Sequence, residues 1–401
     1  MNFQQVLHFV RDRLVYVWIV SVCLWLTWWG WLLLTSLGYL HDDSKVFTDH
    51  MAFYSGARLI AEGRGEIMYD YDQLGIEQRK MVGFDDGGFT LTAIRNPPFY
   101  PLLYLPTAKL PYLISFWIWD IIALLLLYLG FRLLGVERPL IAMAWATSFY
   151  PVYTVITFGQ NSMISFAILC GVYFSLRRDR KLIAGGLAGL LSFKPTVMLG
   201  LCIWWLLDIR RYWKCWLGMM ITGLILLGIS LLFVRKEFEL FLEKLGEIAA
   251  YNRDEFYNHH TMRAFWGYLF GDDKQIGLVL GSITSLLFII CFVIFWLRHR
   301  NSLPVMFAGV VYFTLMITPH ALVYEWSLSL ITAVILWREF PANRDRWLIL
   351  FAIPWVVLLI GTQSTKFQKE WLDGYALHFS PLILCVMGFV LARELKASVA
   401  A

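Results

Sequence analysis

The chain has 401 residues, of which 59% are hydrophobic and 17% aromatic, and its mean hydropathy is +0.61. This composition excludes an ordinary soluble globular domain and indicates a polytopic membrane protein. The formal net charge of +5 requires no nucleic-acid partner, because the Lys and Arg residues fall in short segments between apolar runs.

Apolar runs follow one another through the chain at lengths expected for membrane-crossing helices, some of them short. The first run is too long for a signal peptide and no cleavage pattern of small residues follows it, so it is expected to remain as a helix. The runs cover residues 14–37, 113–134, 140–158, 162–176, 182–193, 196–208, 215–233, 276–297, 303–319, 324–337, 347–362 and 377–392.

Basic clusters between these runs all fall on one side if each run crosses once, which predicts about twelve crossings with both termini cytoplasmic. The loops at 38–112, 234–275 and 363–376 then lie together on the outer side. We expect one polytopic transmembrane domain over residues 1–401, with the chemistry on the outer face.

The six cysteines lie in or beside apolar runs and have no CxxC or other metal-binding spacing, which favours small buried hydrophobic side chains. Neither a disulfide nor a metal site is expected from them. They are Cys23, Cys170, Cys202, Cys215, Cys291 and Cys385.

Asp49 is an isolated acid shortly after the first apolar run, ahead of the amphipathic stretch 50–62. That stretch predicts a helix lying in the membrane interface, which would hold Asp49 at a fixed depth. A carboxylate at this rim could act as a general base on a hydroxyl group. An N-cap or a solvated loop acid is the alternative.

Two further outer segments carry candidate ligands for a sugar phosphate. Five prolines in residues 93–111 argue against a regular spanning helix there, and Arg95 could face a phosphate or anchor the interface. At the tip of the hairpin around residues 158–162, Gln160 and Asn161 could bind sugar hydroxyls or cap the following helix.

Lys194 interrupts an apolar stretch and is followed by the helix-breaking Pro195. An ionisable residue inside membrane-spanning sequence is costly and usually has a partner, and a lysine at an outward helix break suits an anionic phosphate. The alternative is a lysine that snorkels to the interface.

The remaining outer candidates lie in residues 251–269 and 318–328. Adjacent His259 and His260 chelate a metal poorly because neighbouring side chains diverge, so His260 and Arg263 suggest substrate or phosphate contact, or a plain loop. His320 and Glu325 stand at the junction of two runs, and their position on the same face as Lys194 favours function over structure.

These segments, in this order, resemble glycosyltransferase family 87 of the GT-C class of integral-membrane enzymes. Each stretch is short, but together they cover most of the chain. The matching stretches are FTDHMAFYSGARLIAEG with MYD, NPPFYPLLYLPTAKLP, FGQNSMISFAIL, AGGLAGLLSFKPTVML and TPHALVYEWSL.

The resemblance implies a GT-C fold with interfacial helices in the first outer loop and a catalytic face turned to the periplasm of a bacterial inner (cell) membrane. It implies inverting transfer of a hexose, most typically mannose, from a polyprenyl-phosphate sugar to a hydroxyl of a glycolipid or glycan. The partners are thus a lipid-phosphate donor, a lipid or glycan acceptor and membrane lipids, with no nucleic acid and no cofactor.

The resemblance also implies roles for residues. Asp49 maps onto the catalytic base, and the KP motif maps onto Lys194 and Pro195. Thr318 stands where Ser is common, and Glu325 where an Asp often follows the His. The expected set is Asp49 and His320 as catalytic residues, Lys194, Arg95 and Arg263 at the donor phosphate, and Tyr54, Arg58, Gln160, Asn161, His260 and Glu325 at the substrate, with no metal.

Three other functions remain open at this level. A transporter or flippase for a lipid-linked sugar would also use polar groups and broken helices, although it would favour the bilayer centre and a repeat. A non-catalytic scaffold would not explain the polar residues on one side. A GT-C transferase with a pentose donor is the third. No nucleotide-phosphate loop is visible, which fits a lipid-phosphate donor.

Overall fold

The computed structural model describes residues 14–37, 49–82, 91–250, 258–271, 273–341 and 344–400. Within these ranges the chain is helical, with one isolated antiparallel bridge between His259 and Leu322 and no strand. The expectation of an all-α protein is therefore confirmed for the described part of the chain.

The apolar runs of the first half of the chain form helices, because long stretches of apolar residues with few prolines favour helix formation. Short 3₁₀ helices at Gly65–Tyr69, Pro101–Thr107, Leu190–Phe193 and Pro195–Met198 connect them. The α-helices are α1 (Leu14–Ser36), α2 (His50–Ala61), α3 (Tyr71–Val82), α4 (Tyr112–Leu133), α5 (Pro139–Thr147), α6 (Tyr150–Thr157), α7 (Ser162–Arg177), α8 (Lys181–Gly189), α9 (Leu199–Leu207) and α10 (Ile209–Phe233).

The second half continues with short amphipathic helices and then longer apolar ones. A 3₁₀ helix at Val323–Leu328 precedes α16. The α-helices are α11 (Arg235–Glu243), α12 (Leu245–Ala250), α13 (Met262–Leu269), α14 (Lys274–His299), α15 (Leu303–Ile317), α16 (Ser329–Glu339), α17 (Arg344–Trp371) and α18 (Phe379–Ala400).

Four of the described helices (α1, α4, α10 and α14) are long and apolar enough to cross a membrane. Helices α5 and α6 would add a fifth span if counted together, although they meet at an angle of 82°. Exposed apolar side chains such as Leu224 on α10 and Leu286 on α14 fit contact with lipid. These features fit a membrane protein, and the count of twelve crossings stays a prediction.

Two hydrogen bonds join helix ends that carry basic residues. The Arg338 guanidinium donates to the carbonyl oxygen of Leu134, and Arg211 Nη1 donates to the carbonyl oxygen of Arg300 at 3.1 Å. We call this side of the helix bundle the basic end. Glu325, described below, precedes α16 at the end opposite Arg338.

Glycines allow α8 and α10 to cross at close range. A Cβ atom at Gly218 would overlap the backbone of Leu182 and Gly186, and one at Gly185 would overlap the backbone of Cys215. Small residues let helix backbones approach in this way in membranes, where apolar side chains alone give little preference for a protein neighbour over lipid.

Substituting Gly218 with Ala is therefore expected to lower the unfolding midpoint in detergent by about 5 °C, because backbone atoms cannot rotate away from the added methyl group. Gly223→Ala on the same helix is the matched control, since a Cβ atom there meets no neighbour within 4 Å. Differential scanning fluorimetry of both variants checks the expectation. Equal midpoints for the two variants would contradict the close crossing.

Candidate active site

Asp49 lies directly before α2, but its side chain forms no capping bond to that helix. Its Oδ2 atom instead accepts a hydrogen bond of 2.5 Å from Gln160 Nε2. The next residue, His50, donates its backbone N–H to the carbonyl oxygen of Phe158 at 3.2 Å. Gly159 adopts a φ of +60°, and a Cβ atom there would crowd His50. Asp49 and the start of α2 are thus joined to the turn between α6 and α7.

Lys194 lies at the break between two 3₁₀ helices, with φ −142° and ψ 69°. Pro195 begins the second of them, and the interruption directs the lysine toward the start of α7. Its Nζ atom lies 3.0 Å from Glu325 Oε1 and donates to Asn161 Oδ1 at 3.1 Å and Ser162 Oγ at 3.4 Å. Asn161 precedes α7 without capping it by its side chain.

Glu325 lies in the first turn of the 3₁₀ helix Val323–Leu328 and is almost fully buried, with 4% of its side chain exposed. Its Oε2 atom accepts the backbone N–H of Leu322 at 2.9 Å. Both carboxylate oxygens therefore have partners, one of them the Lys194 ammonium. The acid that follows His320 in the chain is thus the ion-pair partner of Lys194.

Tyr324 lies near both Asp49 and Lys194, and it was not among the site residues predicted from the sequence. Its ring centroid lies 5.4 Å from Lys194 Nζ, and its hydroxyl lies close to Gln160 and to the charge of Asp49. We define the polar cluster as Asp49, Gln160, Asn161, Lys194, Tyr324 and Glu325. The sequence signal for Tyr324 was an aromatic residue directly before Glu325 in the segment VYEW.

His320 packs against His259 at the edge of the polar cluster, with ring centroids 4.3 Å apart at 78°. Two segments meet here, because His260 donates its backbone N–H to the carbonyl oxygen of Ala321 at 2.8 Å. The Thr318 hydroxyl bonds the backbone N–H and carbonyl oxygen of His320 at 3.3 Å and 3.2 Å. His260 was the histidine predicted to contact substrate, whereas the ring that packs against His320 belongs to His259.

Burial lowers the pKa of His320 to about 3, and the nearby positive charges of Arg95, Lys194 and Arg263 act in the same direction. The side chain is therefore neutral at physiological pH. Because the charges of Arg95 and Arg263 act on the pKa of His320, both arginines lie near it. Three cationic side chains thus lie near enough to one neutral imidazole to act on its pKa, and such a group of charges suits an anion.

His260 is buried and directed away from the polar cluster. Its Nδ1 atom lies 2.6 Å from Ser380 Oγ and its Nε2 atom 3.0 Å from Thr362 Oγ1. Both ring nitrogens are thereby engaged by hydroxyl groups near α17 and α18. These bonds give His260 a role in joining the 258–271 segment to the C-terminal helices.

Tyr54 and Arg58 lie further along α2 and form their own chain of hydrogen bonds. The Tyr54 hydroxyl donates to the carbonyl oxygen of Leu110 at 2.7 Å and accepts from Arg58 Nη1 at 3.1 Å. Arg58 Nε also bonds Glu62 at 3.0 Å. This chain attaches α2 to the proline-rich segment, one or more helical turns beyond Asp49.

The proline-rich segment supports the helix break at Lys194. Asn96 Nδ2 donates to the carbonyl oxygen of Phe193 at 2.9 Å, and the Tyr100 ring stacks on Phe193 with centroids 4.5 Å apart. The Tyr100 hydroxyl hydrogen-bonds that of Tyr104 at 3.1 Å and lies close to Asn161. Residues 93–111 thus pack against the polar cluster through contacts that sequence spacing does not reveal.

Two neutral histidines, the buried His50 and the partly buried His320, predict acid sensitivity of the fold. Burial lowers the pKa of His50, like that of His320, to about 3. In the unfolded chain each has an ordinary pKa near 6.5, so below that pH the unfolded state binds protons that the folded state does not. Stability is therefore lost as pH falls from about 6.5 toward about 3.

We expect the unfolding midpoint to be lower at pH 5 than at pH 7.5, with each of these two histidines contributing up to about 2 kcal/mol. His50→Gln should show a smaller fall than wild type, because glutamine can still bond Ser115 but does not titrate. Thermal melts at the two pH values check this. An identical fall in the variant would contradict a neutral His50.

In the described ranges, no three His, Cys, Asp or Glu side chains come together as a group that could hold a metal ion. The cationic residues around His320 suit an anion better than a metal. The chemistry available to the site is thus a carboxylate, a lysine paired with a second carboxylate, and nearby arginines.

One comparison with known proteins identifies a family. The family model described as Glycosyltransferase family 87 matches residues 95–319, more than half of the chain. No curated protein and no solved structure matches. The matched range contains Gln160, Asn161 and Lys194, and it stops one residue before His320. Asp49 lies outside it but is hydrogen-bonded to Gln160, inside it.

Proposed function

Because the chain belongs to glycosyltransferase family 87, we propose that it transfers a hexose, mannose in the first instance, from a polyprenyl-phosphate sugar to a hydroxyl group. The acceptor is a glycolipid or glycan on the periplasmic face of a bacterial inner membrane. The sugar is transferred with inversion, and Asp49 is the general base.

The observation that supports this proposal is the arrangement of one carboxylate beside one group of cations. Asp49 is oriented by Gln160, and the following residue, Asn161, accepts a hydrogen bond from Lys194. Arg95 and Arg263 lie near His320 on the same side. A base and a phosphate-binding group are the two components that inverting transfer from a sugar phosphate needs.

In the proposed step, Asp49 removes the proton of the acceptor hydroxyl as its oxygen attacks the anomeric carbon. The bond between that carbon and the phosphate oxygen breaks from the opposite face, and the electron pair leaves with polyprenyl phosphate. No general acid is required, because a phosphate leaves as a stable anion.

Lys194 would stabilise that anion, with Arg95 and Arg263 contributing further positive charge. An ammonium group has three hydrogen-bond donors, and in this structure Asn161, Ser162 and Glu325 accept from or pair with Lys194. A phosphate oxygen would therefore replace one of these partners. Neutral His320 would orient the donor phosphate or the acceptor by hydrogen bonding.

The test is transfer by the purified full chain in lipid nanodiscs, with radiolabelled polyprenyl-phosphate mannose as donor and a bacterial membrane lipid extract as acceptor pool. A parallel reaction uses a polyprenyl-phosphate pentose. A labelled product of inverted anomeric configuration from the mannose donor is expected.

Product from the pentose donor alone would keep the reaction class and change the sugar. A parallel assay uses the same protein in sealed vesicles, where movement of the intact donor between leaflets, without product, would replace the transferase by a transporter. No product and no movement with either donor would overturn the proposal.

A further inference from the structure

A cavity of about 450 Å³, lined by none of the residues of the polar cluster, lies between α14, α15, α16 and α18. Its walls are mainly apolar and aromatic: Phe292 and Phe313 stack with centroids 4.2 Å apart, and Phe288 approaches Phe389 at 6.3 Å. We call it the C-terminal groove. Its volume is in the range of small-ligand sites, and its lining suits a hydrocarbon chain.

The mouth of the C-terminal groove is cationic. Arg298 near the end of α14 and Arg393 on α18 both line it and are both exposed. Among the described residues, neither arginine forms an ion pair. Two guanidinium groups beside an apolar cavity match a ligand with an anionic head and an apolar tail.

A buried histidine supplies an independent sign of a ligand. His299 lines the same cavity with only 6% of its surface exposed, and its Nδ1 atom has no hydrogen-bond partner in the described part of the chain. A buried polar atom without a partner is costly and requires an explanation. A phosphate or glycerol oxygen seated between the arginines would provide the missing partner.

The length and direction of the groove identify the leaflet. From Phe288 to His299 the α14 wall rises about 16 Å, which is close to half of a hydrocarbon core of about 30 Å. The arginines lie at the basic end of the bundle, whereas Lys194 and His320 lie at the opposite end. A donor whose phosphate occupies the polar cluster would not place a headgroup at Arg298.

We propose that the C-terminal groove binds an anionic phospholipid of the leaflet opposite the polar cluster, with an acyl chain between α14 and α18 and its phosphate between Arg298 and Arg393. This site goes beyond the proposed transferase activity, which does not use these residues. The lipid would fill the space between the helices and provide a partner for His299.

The test is native mass spectrometry of the full chain released from mixed nanodiscs of phosphatidylglycerol and phosphatidylcholine. Wild type should retain phosphatidylglycerol in preference to phosphatidylcholine. The Arg298→Gln, Arg393→Gln double variant should reduce that retention by more than about tenfold, since each arginine near a lipid phosphate contributes about 1 kcal/mol. Arg138→Gln, an exposed arginine outside the groove, is the matched control and should match wild type.

A second measurement needs no variant. Photoactivatable phosphatidylglycerol, crosslinked to wild-type protein, should label peptides that contain residues 288–299 or 388–395. Equal retention of both lipids, equal retention by variant and wild type, or labelling confined to other helices would overturn the proposal. Displacement of the bound lipid by polyprenyl phosphate would assign the groove to the donor and would also overturn it.

Discussion

Asp49→Asn is expected to reduce sugar transfer by about a thousandfold, the effect of removing a general base. The substitution keeps the shape of the side chain, and the remaining amide oxygen can still accept the hydrogen bond from Gln160. Asp49 makes no capping bond to α2, so its loss should leave the helix and the unfolding midpoint unchanged. Transfer assays beside thermal melts separate the two effects.

Asp70→Asn is the matched control on the same side of the chain. Asp70 caps the start of α3, where its Oδ1 atom accepts the backbone N–H of Gln73 at 3.2 Å. Asparagine is also a good cap, so both transfer and midpoint should remain near wild type. A folded Asp49→Asn protein with wild-type transfer would exclude Asp49 as the base.

Lys194→Met should abolish transfer and also destabilise the fold. Loss of one positioned charge at the leaving phosphate costs roughly a hundred- to a thousandfold in rate. Separately, the change leaves the carboxylate of Glu325 buried without its counter-ion, which costs about 3–5 kcal/mol in comparable buried pairs. A fall in both transfer and midpoint is therefore expected for this single variant.

A double variant separates the two consequences. Lys194→Met with Glu325→Gln removes both charges, so the unfolding midpoint should recover most of its loss while transfer stays low. Arg235→Met, which breaks the exposed pair with Glu239, is the control and should change little in either measurement. Recovery of transfer together with stability would show that Lys194 serves the fold alone.

The helices could be predicted from the sequence because apolar runs determine them directly. The predicted runs 14–37 and 113–134 match α1 and α4 to within one residue. The run at 140–158 contains two helices at 82°, because residues 148 and 149 interrupt it between Thr147 and Tyr150. The hydrophobicity of a segment indicates a preference for the membrane but does not specify the direction of the helix axis. Composition alone therefore does not predict such a bend.

Five of the six residues of the polar cluster were named from the sequence, but the contacts between them were not. The interruption at Lys194 was visible as a charge and a proline in apolar sequence, and the structure has a helix break there. Its pairing with Glu325 was not visible, because nothing in either local sequence specifies a distant partner. Tyr324 was missed for the same reason, since a tyrosine in an apolar stretch usually indicates packing.

Helix length has a consequence for the approach of a lipid-borne sugar. Helices α7 and α15, with 16 and 15 residues, are about 24 and 22 Å long, whereas α14, with 26 residues, reaches about 39 Å. The short helices border the polar cluster and are shorter than a hydrocarbon core of about 30 Å. Protein and not lipid covers them, because no side chain from Ser162 to Leu176 or from Leu303 to Ile317 is exposed. A lipid-borne sugar would therefore meet Asp49 in a recess of the protein below the membrane surface, and the depth of that recess would help to set how easily the two come together.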